Sequence, residues 1–342
     1  FSQYPIHRFL SASFFYLLHL LLITGRINFS SQVIPARMKN LLEKLTLLIS
    51  LLLICQTLFF GLRPYATFAE PSGAGLFIVA YIVATVASKS QKYQYLTKTN
   101  LIIFIISLVA LVLTKSMHLF SGLSSFFLFI FIFQNFKIRN KFNIRKIFFI
   151  LFAFISLSIF IVFNLSHLAQ RVNLLSTDLN LSQLSWLHGM SQSFYTLTNS
   201  PIFGFGFGST GTFEYSSKFL PLMASLGWEN MNLKDAYSGL FRLIIETGII
   251  GPLFLFSYTF YIGKRIKYLY KVVKSDDSYN GDFSINNYSN IVFVFVFGLT
   301  ILIGILLKEP VWSRSFLPLA IILVYILPKI YFNSLNYKIK SI

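Results

Sequence analysis

The sequence predicts an all-α polytopic membrane protein with about nine visible transmembrane helices and one long outer loop. Three observations carry that expectation. Of the 342 residues, 55% are hydrophobic and only 12% charged, against about 25% charged in a soluble domain. Forty are Phe, and the mean hydropathy is +0.69. Several apolar runs reach the 17 to 25 or so residues that a helix needs to cross a bilayer core of about 30 Å while satisfying its own backbone hydrogen bonds. The formal net charge of +18, from 29 Lys and Arg against 11 Asp and Glu, does not point to nucleic acid, because so apolar a remainder is foreign to such proteins. A single cysteine excludes a disulfide framework and any Cys-based metal cluster. Cys55 lies inside an apolar run and reads as a buried small hydrophobe. The chain opens at Phe1, which suggests a preceding segment with room for further helices, and no cleavable signal peptide can be read from it.

Each span is marked by an apolar run and by what ends it. Run 8–25 leads to Arg26, Arg37, Lys39 and Lys44; run 41–61 leads to a short turn at 62–72; run 73–89 ends in Lys89, Lys92 and Lys98. Runs 99–115 and 119–135 lie close enough for a tight hairpin, followed by Lys137, Arg139, Lys141, Arg145 and Lys146. Run 146–164 completes a first transmembrane part, 1–164, and opens the long loop 165–238. Run 239–262 re-enters the membrane and is followed, in loop 263–288, by Lys264, Arg265, Lys267, Lys271 and Lys274. Runs 289–307 and 313–332 complete the last part, 239–342, which closes on Lys329, Lys338 and Lys340. Every second loop is basic, so the positive-inside bias places these loops and the C-terminus in the cytoplasm. The loop 263–288, a basic helix end followed by a polar linker, reads as an anchor for anionic lipid headgroups.

Loop 165–238 is too long for a simple connection. It contains Trp186, Trp228, Phe194, Tyr195, Phe203, Phe205, Phe207 and Phe213, with Leu at helical spacing around 181–197. One or two short helices packed down on the membrane face are expected there.

Arg8, Arg63, Lys115, Arg171, Lys218, Lys234, Arg242, Lys308 and Arg314 fall on the outer side, where the positive-inside bias does not explain them. Charges near a membrane boundary are costly unless paired or wetted. Each could snorkel or pair with a nearby carboxylate, but as a set they suit a shared anionic ligand such as a pyrophosphate, whose oxygens an Arg fork binds bidentately. In RPYATFAEP, Arg63 and Glu70 bracket a turn restricted by Pro64 and Pro71: either an ordered hairpin with its own salt bridge, or Arg63 facing the ligand with Glu70 orienting it. In SPIFGFGFGSTG, Gly204, Gly206 and Gly208 allow positive φ values and close backbone approach, either as a compact turn or as an anion nest of successive N–H groups. No strand precedes this element, so a dinucleotide fold is rejected. In DAYSGLFRLIIETGIIGP, spacings of seven and four place Asp235, Arg242 and Glu246 on one helix stripe; Arg242 and Glu246 could simply neutralise each other, yet intramembrane charges usually mark a substrate path. In KEPVWSR, Lys308 and Arg314 flank Glu309 and the interfacial Trp312. None of the five His has a second His or a carboxylate at ligand spacing, so neither a metal site nor a cofactor is expected.

This arrangement resembles the bacterial O-antigen polymerase (Wzy) family within the O-antigen ligase/polymerase group. The resemblance covers roughly residues 60 to 252 and rests on RPYATFAEP, LVLTKSMHLFSG, and SPIFGFGFGS followed by RLIIETGIIG. Members often have an Arg upstream of the Pro-x-x-Gly-x-Gly element, where this chain reads LSWLHG, and ligase relatives often have a His near the re-entering helix, where Tyr237 stands. The resemblance implies a metal-independent, inverting glycosyltransferase of C-type membrane fold in the bacterial inner membrane. Its substrates would be undecaprenyl-pyrophosphate-linked glycans, joined into O-antigen or capsular polysaccharide at the outer face, with membrane lipids and a chain-length regulator as partners. Arg242, with Arg171 and Arg63, would stabilise the leaving pyrophosphate, and Asp235 or Glu246 would take the acceptor proton. The rivals are a ligase moving glycan to lipid A core and a lipid-linked sugar flippase; the latter predicts an internal repeat with paired broken helices, and neither is found in the sequence.

Overall fold

The computed structural model describes residues 34–60, 71–90, 97–114, 119–133, 181–206, 209–210, 215, 217–227, 237–275, 285–307 and 316–328. All regular structure among them is helical. In chain order the helices are α1 (Ile34–Phe60), α2 (Pro71–Ser90), α3 (Lys98–Thr114), α4 (Leu119–Phe133), α5 (Leu181–Asn199), α6 (Leu220–Ser225), α7 (Gly239–Thr247), α8 (Ile250–Ser275), α9 (Ile285–Leu307) and α10 (Phe316–Ile321), which runs into a wider π turn at Ile322–Ile326. Among the described residues, Pro35–Phe59 and Tyr288–Leu307 are long and apolar enough to cross a membrane; Gly73–Ser88, Lys98–Thr114, Ser121–Ile130 and Leu317–Ile326 are shorter apolar helices.

The chain divides into two units. The first comprises Phe1–Asn164, Ile262–Ile301 and Pro318–Ile342. Here α1 packs on α2 and α3, and α2 also on α3 and α4. Helix α2 is buried nearly all round, from Ala74 through Tyr81 and on to Ala87, because its composition of small and apolar residues offers no polar face to expose. The α9 residues from Tyr288 onward in this unit are buried in the same way. Side chains join the two helices: the Phe77 and Phe297 rings meet edge-on at 5.0 Å, and those of Tyr81 and Phe293 at 6.0 Å.

Small residues set how closely these helices approach. A Cβ on Gly122 of α4 would lie 2.3 Å from Val79 Cγ1, and one on Gly298 of α9 would lie 2.6 Å from Leu323 Cβ. Polar side chains also link helices of the unit: Ser125 and Thr300 hydroxyls are 2.9 Å apart, and Lys267 Nζ donates to the Ile132 carbonyl at 3.2 Å. Lys39 and Glu43 pair one turn apart on α1.

Spans 41–61, 73–89, 99–115, 119–135 and 289–307 coincide with α1, α2, α3, α4 and α9 to within a few residues at most ends; α1 begins seven residues early. Spans 8–25 and 146–164 lie outside the described residues. Two expectations change. Cys55 is exposed, not buried; it shares an open apolar stripe of α1 with Leu41, Leu48, Leu51 and Leu58. The apolar run containing it gave no hint of which face would be open. Span 239–262 is also not one helix: it breaks between Thr247 and Ile250, for a reason that lies in the backbone at Gly248.

The second unit comprises Leu165–Tyr261 and Leu302–Leu317. The expected helix near 181–197 is α5, and α6 is a second, shorter one. Helix α5 packs on α6 and α7.

Candidate functional site

Helix α7 begins where Ser238, in extended conformation, caps it: the Ser238 Oγ accepts from the Phe241 N–H at 3.4 Å. The same hydroxyl donates to the Leu306 carbonyl at 2.5 Å, tying the start of α7 to the end of α9. Gly239 makes the approach close: a Cβ there would stand 3.0 Å from the Ile305 carbonyl oxygen. One face of α7, Phe241 and Ile245, is buried against Trp186 and Met190 of α5, with the Trp186 and Phe241 rings edge-on at 5.2 Å.

The neighbouring stripe carries the ion pair anticipated from the spacing. Arg242 Nε donates to Glu246 Oε1 at 2.9 Å, with the Arg242 side chain 25% and the Glu246 side chain 9% exposed. Thr210 Oγ1 donates to the same carboxylate oxygen at 3.2 Å. Glu246 is therefore fixed from two sides, and it in turn fixes the guanidinium at one edge. Among the described residues no other group accepts from Arg242, and a quarter of its side chain is exposed. Such a cation is preorganised for an anion.

Gly248 ends the helix. Its φ of 61° and ψ of −146° lie in a region essentially reserved for glycine, and its N–H closes the last turn on the Ile244 carbonyl at 2.8 Å. The glycine turn packs directly onto this end. Phe205 N–H donates to the Ile245 carbonyl at 2.8 Å, and Ile249 N–H to the Pro201 carbonyl at 2.9 Å. A Cβ on Gly204 would lie 2.5 Å from the Ile245 oxygen, and one on Gly248 would lie 2.4 Å from the Ile202 oxygen. Gly204 and Gly206 both have positive φ, at 65° and 97°. The anion-nest reading does not survive at Gly204: its N–H is bonded to the Ser200 carbonyl at 3.0 Å and that of Phe205 to Ile245. The first glycine serves close packing of two backbones.

The helix that carries Arg242 and Glu246 does not reach back far enough to support the expected stripe with Asp235. The helix starts only at Gly239, Ser238 is extended and Tyr237 has a φ of +60°, so the seven-residue spacing does not run along a helix. Asp235 itself lies outside the described residues, as do Arg63, Glu70, Arg171, Gly208, Lys308 and Arg314. The described structure thus brings together Arg242, Glu246 and the Gly204 turn.

Sequence reasoning missed Thr210 and a polar stripe on α5. Thr210, one hydroxyl in a polar loop, gave no signal. On α5, His188 and Gln192 are one turn apart and almost fully buried. His188 Nδ1 meets Ser217 Oγ at 2.6 Å, while His188 Nε2, Gln192 Oε1 and Ser185 Oγ have no hydrogen-bond partner among the described residues. Burial lowers the His188 pKa from its ordinary 6.5, because the desolvated imidazolium is penalised. Just before Gln192, Ser191 and the Tyr215 hydroxyl bond to each other, and the Tyr195 ring lies 4.7 Å from that of Tyr215. Two side-chain bonds thereby hold residues 215 and 217 to α5. Among the described residues no three His, Cys, Asp or Glu come close enough to hold a metal ion. No family model matches the chain, and neither a curated protein nor a solved structure matches it significantly.

Proposed function

We propose that the chain is a polytopic membrane glycosyltransferase of the O-antigen polymerase (Wzy) type. It joins undecaprenyl-pyrophosphate-linked oligosaccharide repeats on the outer face of the cytoplasmic membrane. One observation carries the reading: Arg242 stands partly exposed on a helix otherwise apolar, held by a buried Glu246 that Thr210 also holds. An ion pair serving stability alone would gain little from exposing the cation's free edge. A site that must meet an anion needs that edge open. Alternating basic loops and the open apolar faces of α1, α3 and α8 support the membrane setting and its orientation.

In this reading the acceptor hydroxyl attacks the anomeric carbon of the donor glycan. The new glycosidic C–O bond forms as the bond to the lipid pyrophosphate breaks, with inversion at that carbon. The outward N–H groups of Arg242 bind the leaving oxygens and stabilise their growing charge. Glu246 acts as the positioning partner of Arg242, since its carboxylate is already engaged, and Asp235 takes the acceptor proton. Arg63, Arg171, Lys308 and Arg314 supply further positive charge on the same face. No step requires a metal.

Replacing Arg242 by Ala tests this in cells lacking the native chain. The expected outcome is loss of the polymer ladder, with single repeats still present and the variant inserted in the membrane at normal amount. A ladder of normal length would reject the assignment.

A further inference from the structure

Helix α8 is too short in apolar residues to span the bilayer by itself. Its uncharged stretch, Ile250 to Gly263, is 14 residues, about 21 Å at 1.5 Å per residue, against a hydrocarbon core of about 30 Å. Lys264 and Arg265 follow at once. About 9 Å of hydrocarbon depth is then left over at the N-terminal end of the helix. Extension by α7 along the same axis is prevented, because the chain breaks at Gly248 and α7 carries Arg242 and Glu246.

The glycine turn lies at that end. It is locked to it by the Ile249 to Pro201 and Phe205 to Ile245 backbone bonds. Its side chains are apolar and open: Ile202, Phe203 (72% exposed) and Phe205, beside Ile249, Ile250, Leu253 and Phe254 (71%). Phe194, near the end of α5, is open as well. No Asp, Glu, Lys or Arg occurs from 179 to 213 or from 247 to 263, so nothing in either segment resists transfer into hydrocarbon. The polar groups of the turn's backbone are substantially satisfied internally, through Ser200 Oγ to the Gly204 carbonyl at 2.6 Å and the bonds above, as a segment entering lipid requires. An open apolar patch of this kind marks a membrane or protein contact. The missing apolar depth on α8 selects the membrane.

We infer that the turn from Pro201 to Phe205 inserts into the outer leaflet beside the start of α8, its aromatic rings among the lipid acyl chains. The turn supplies the apolar depth that α8 lacks. It also fixes the level of α7, so that Arg242 sits near the headgroups, where a lipid-linked pyrophosphate would be. The inference rests on the membrane setting proposed above.

The test uses the full chain in lipid nanodiscs with its single cysteine removed by Cys55→Ala. Phe203→Cys or Phe256→Cys is then introduced and labelled with a bimane fluorophore. Both side chains are exposed, so neither change disturbs packing. The expected result is strong quenching at both positions by lipids carrying a spin label on the acyl chain, with loss of quenching by water-soluble iodide. Acyl-chain quenching at 256 with iodide quenching at 203 would overturn the insertion and leave the membrane reading standing. Iodide quenching at both positions would reject the membrane reading itself. Protection at 203 from both quenchers would place a second copy or another part of the chain over the turn, and would also overturn the inference.

Discussion

Arg242 and Glu246 show how much one carboxylate can do for one cation. The i, i+4 spacing made the pair legible from the sequence, but spacing alone left open whether Glu246 neutralises Arg242 or works beside it. The second bond, from Thr210, holds the carboxylate from another side, which supports the proposed positioning role. Thr210→Val removes that bond while nearly keeping volume, and a hydrogen bond to a charged group contributes about 1.5 to 3 kcal/mol. Polymer formation by this variant should fall by about tenfold, with membrane insertion unchanged; quantified ladders against membrane protein level would measure it. His188 gives a second residue-scale prediction. Its folded-state pKa is lowered, so just below pH 6.5 the unfolded chain binds a proton that the folded chain does not. Stability should therefore be full above that pH and decline as the pH falls toward the folded value. His188→Gln should flatten this decline in thermal unfolding measured from pH 7.5 to 5; an unchanged slope would mean that another group is responsible.

At the scale of elements, apolar run length located α1 to α4 and α9, because long uncharged stretches leave few alternatives to a helix. The same criterion merged α7 and α8 into one span. A hydropathy run does not register a single residue turned to positive φ, and Gly248 breaks the helix with no change in composition. The partner that makes the break necessary, the Pro201 to Phe205 turn, is more than forty residues away in sequence. Gly204 was picked out for chemistry because alternate glycines suggest an anion nest, whereas its role here is to let two backbones touch. The seven-residue spacing from Asp235 to Arg242 misled for the complementary reason: helical spacing has meaning only where the helix continues, and α7 starts at Gly239. Gly248→Ala tests this local architecture. The strained backbone costs about 1 to 3 kcal/mol, and the 2.4 Å approach of the new methyl to the Ile202 oxygen adds to it. Unfolding in detergent, followed by heating, should come at a clearly lower temperature than for Leu253→Ala, an exposed position on the following helix α8. Equal effects would mean that the turn and the helix end are not locked together.

For the whole molecule, the net charge of +18 separates into a topological and a functional part. On the proposed topology, twenty basic and four acidic residues fall on the cytoplasmic side, and nine and seven on the other, so most of the excess would serve orientation. The few cations on the proposed outer side are the informative ones, and Arg242 is the one the structure describes in an ion pair with a buried acid. Nothing in composition or run length could have distinguished it from the rest; its position beside a buried acid and a packed glycine turn does. The proposed glycosyl transfer depends most directly on that residue. Purified protein in nanodiscs, given a defined undecaprenyl-pyrophosphate-linked repeat unit in the presence of EDTA, should release lipid pyrophosphate and form oligomers of the repeat, and Arg242→Ala should do neither. Turnover that requires added Mg²⁺, or oligomers formed as readily by Arg242→Ala as by the native chain, would contradict it.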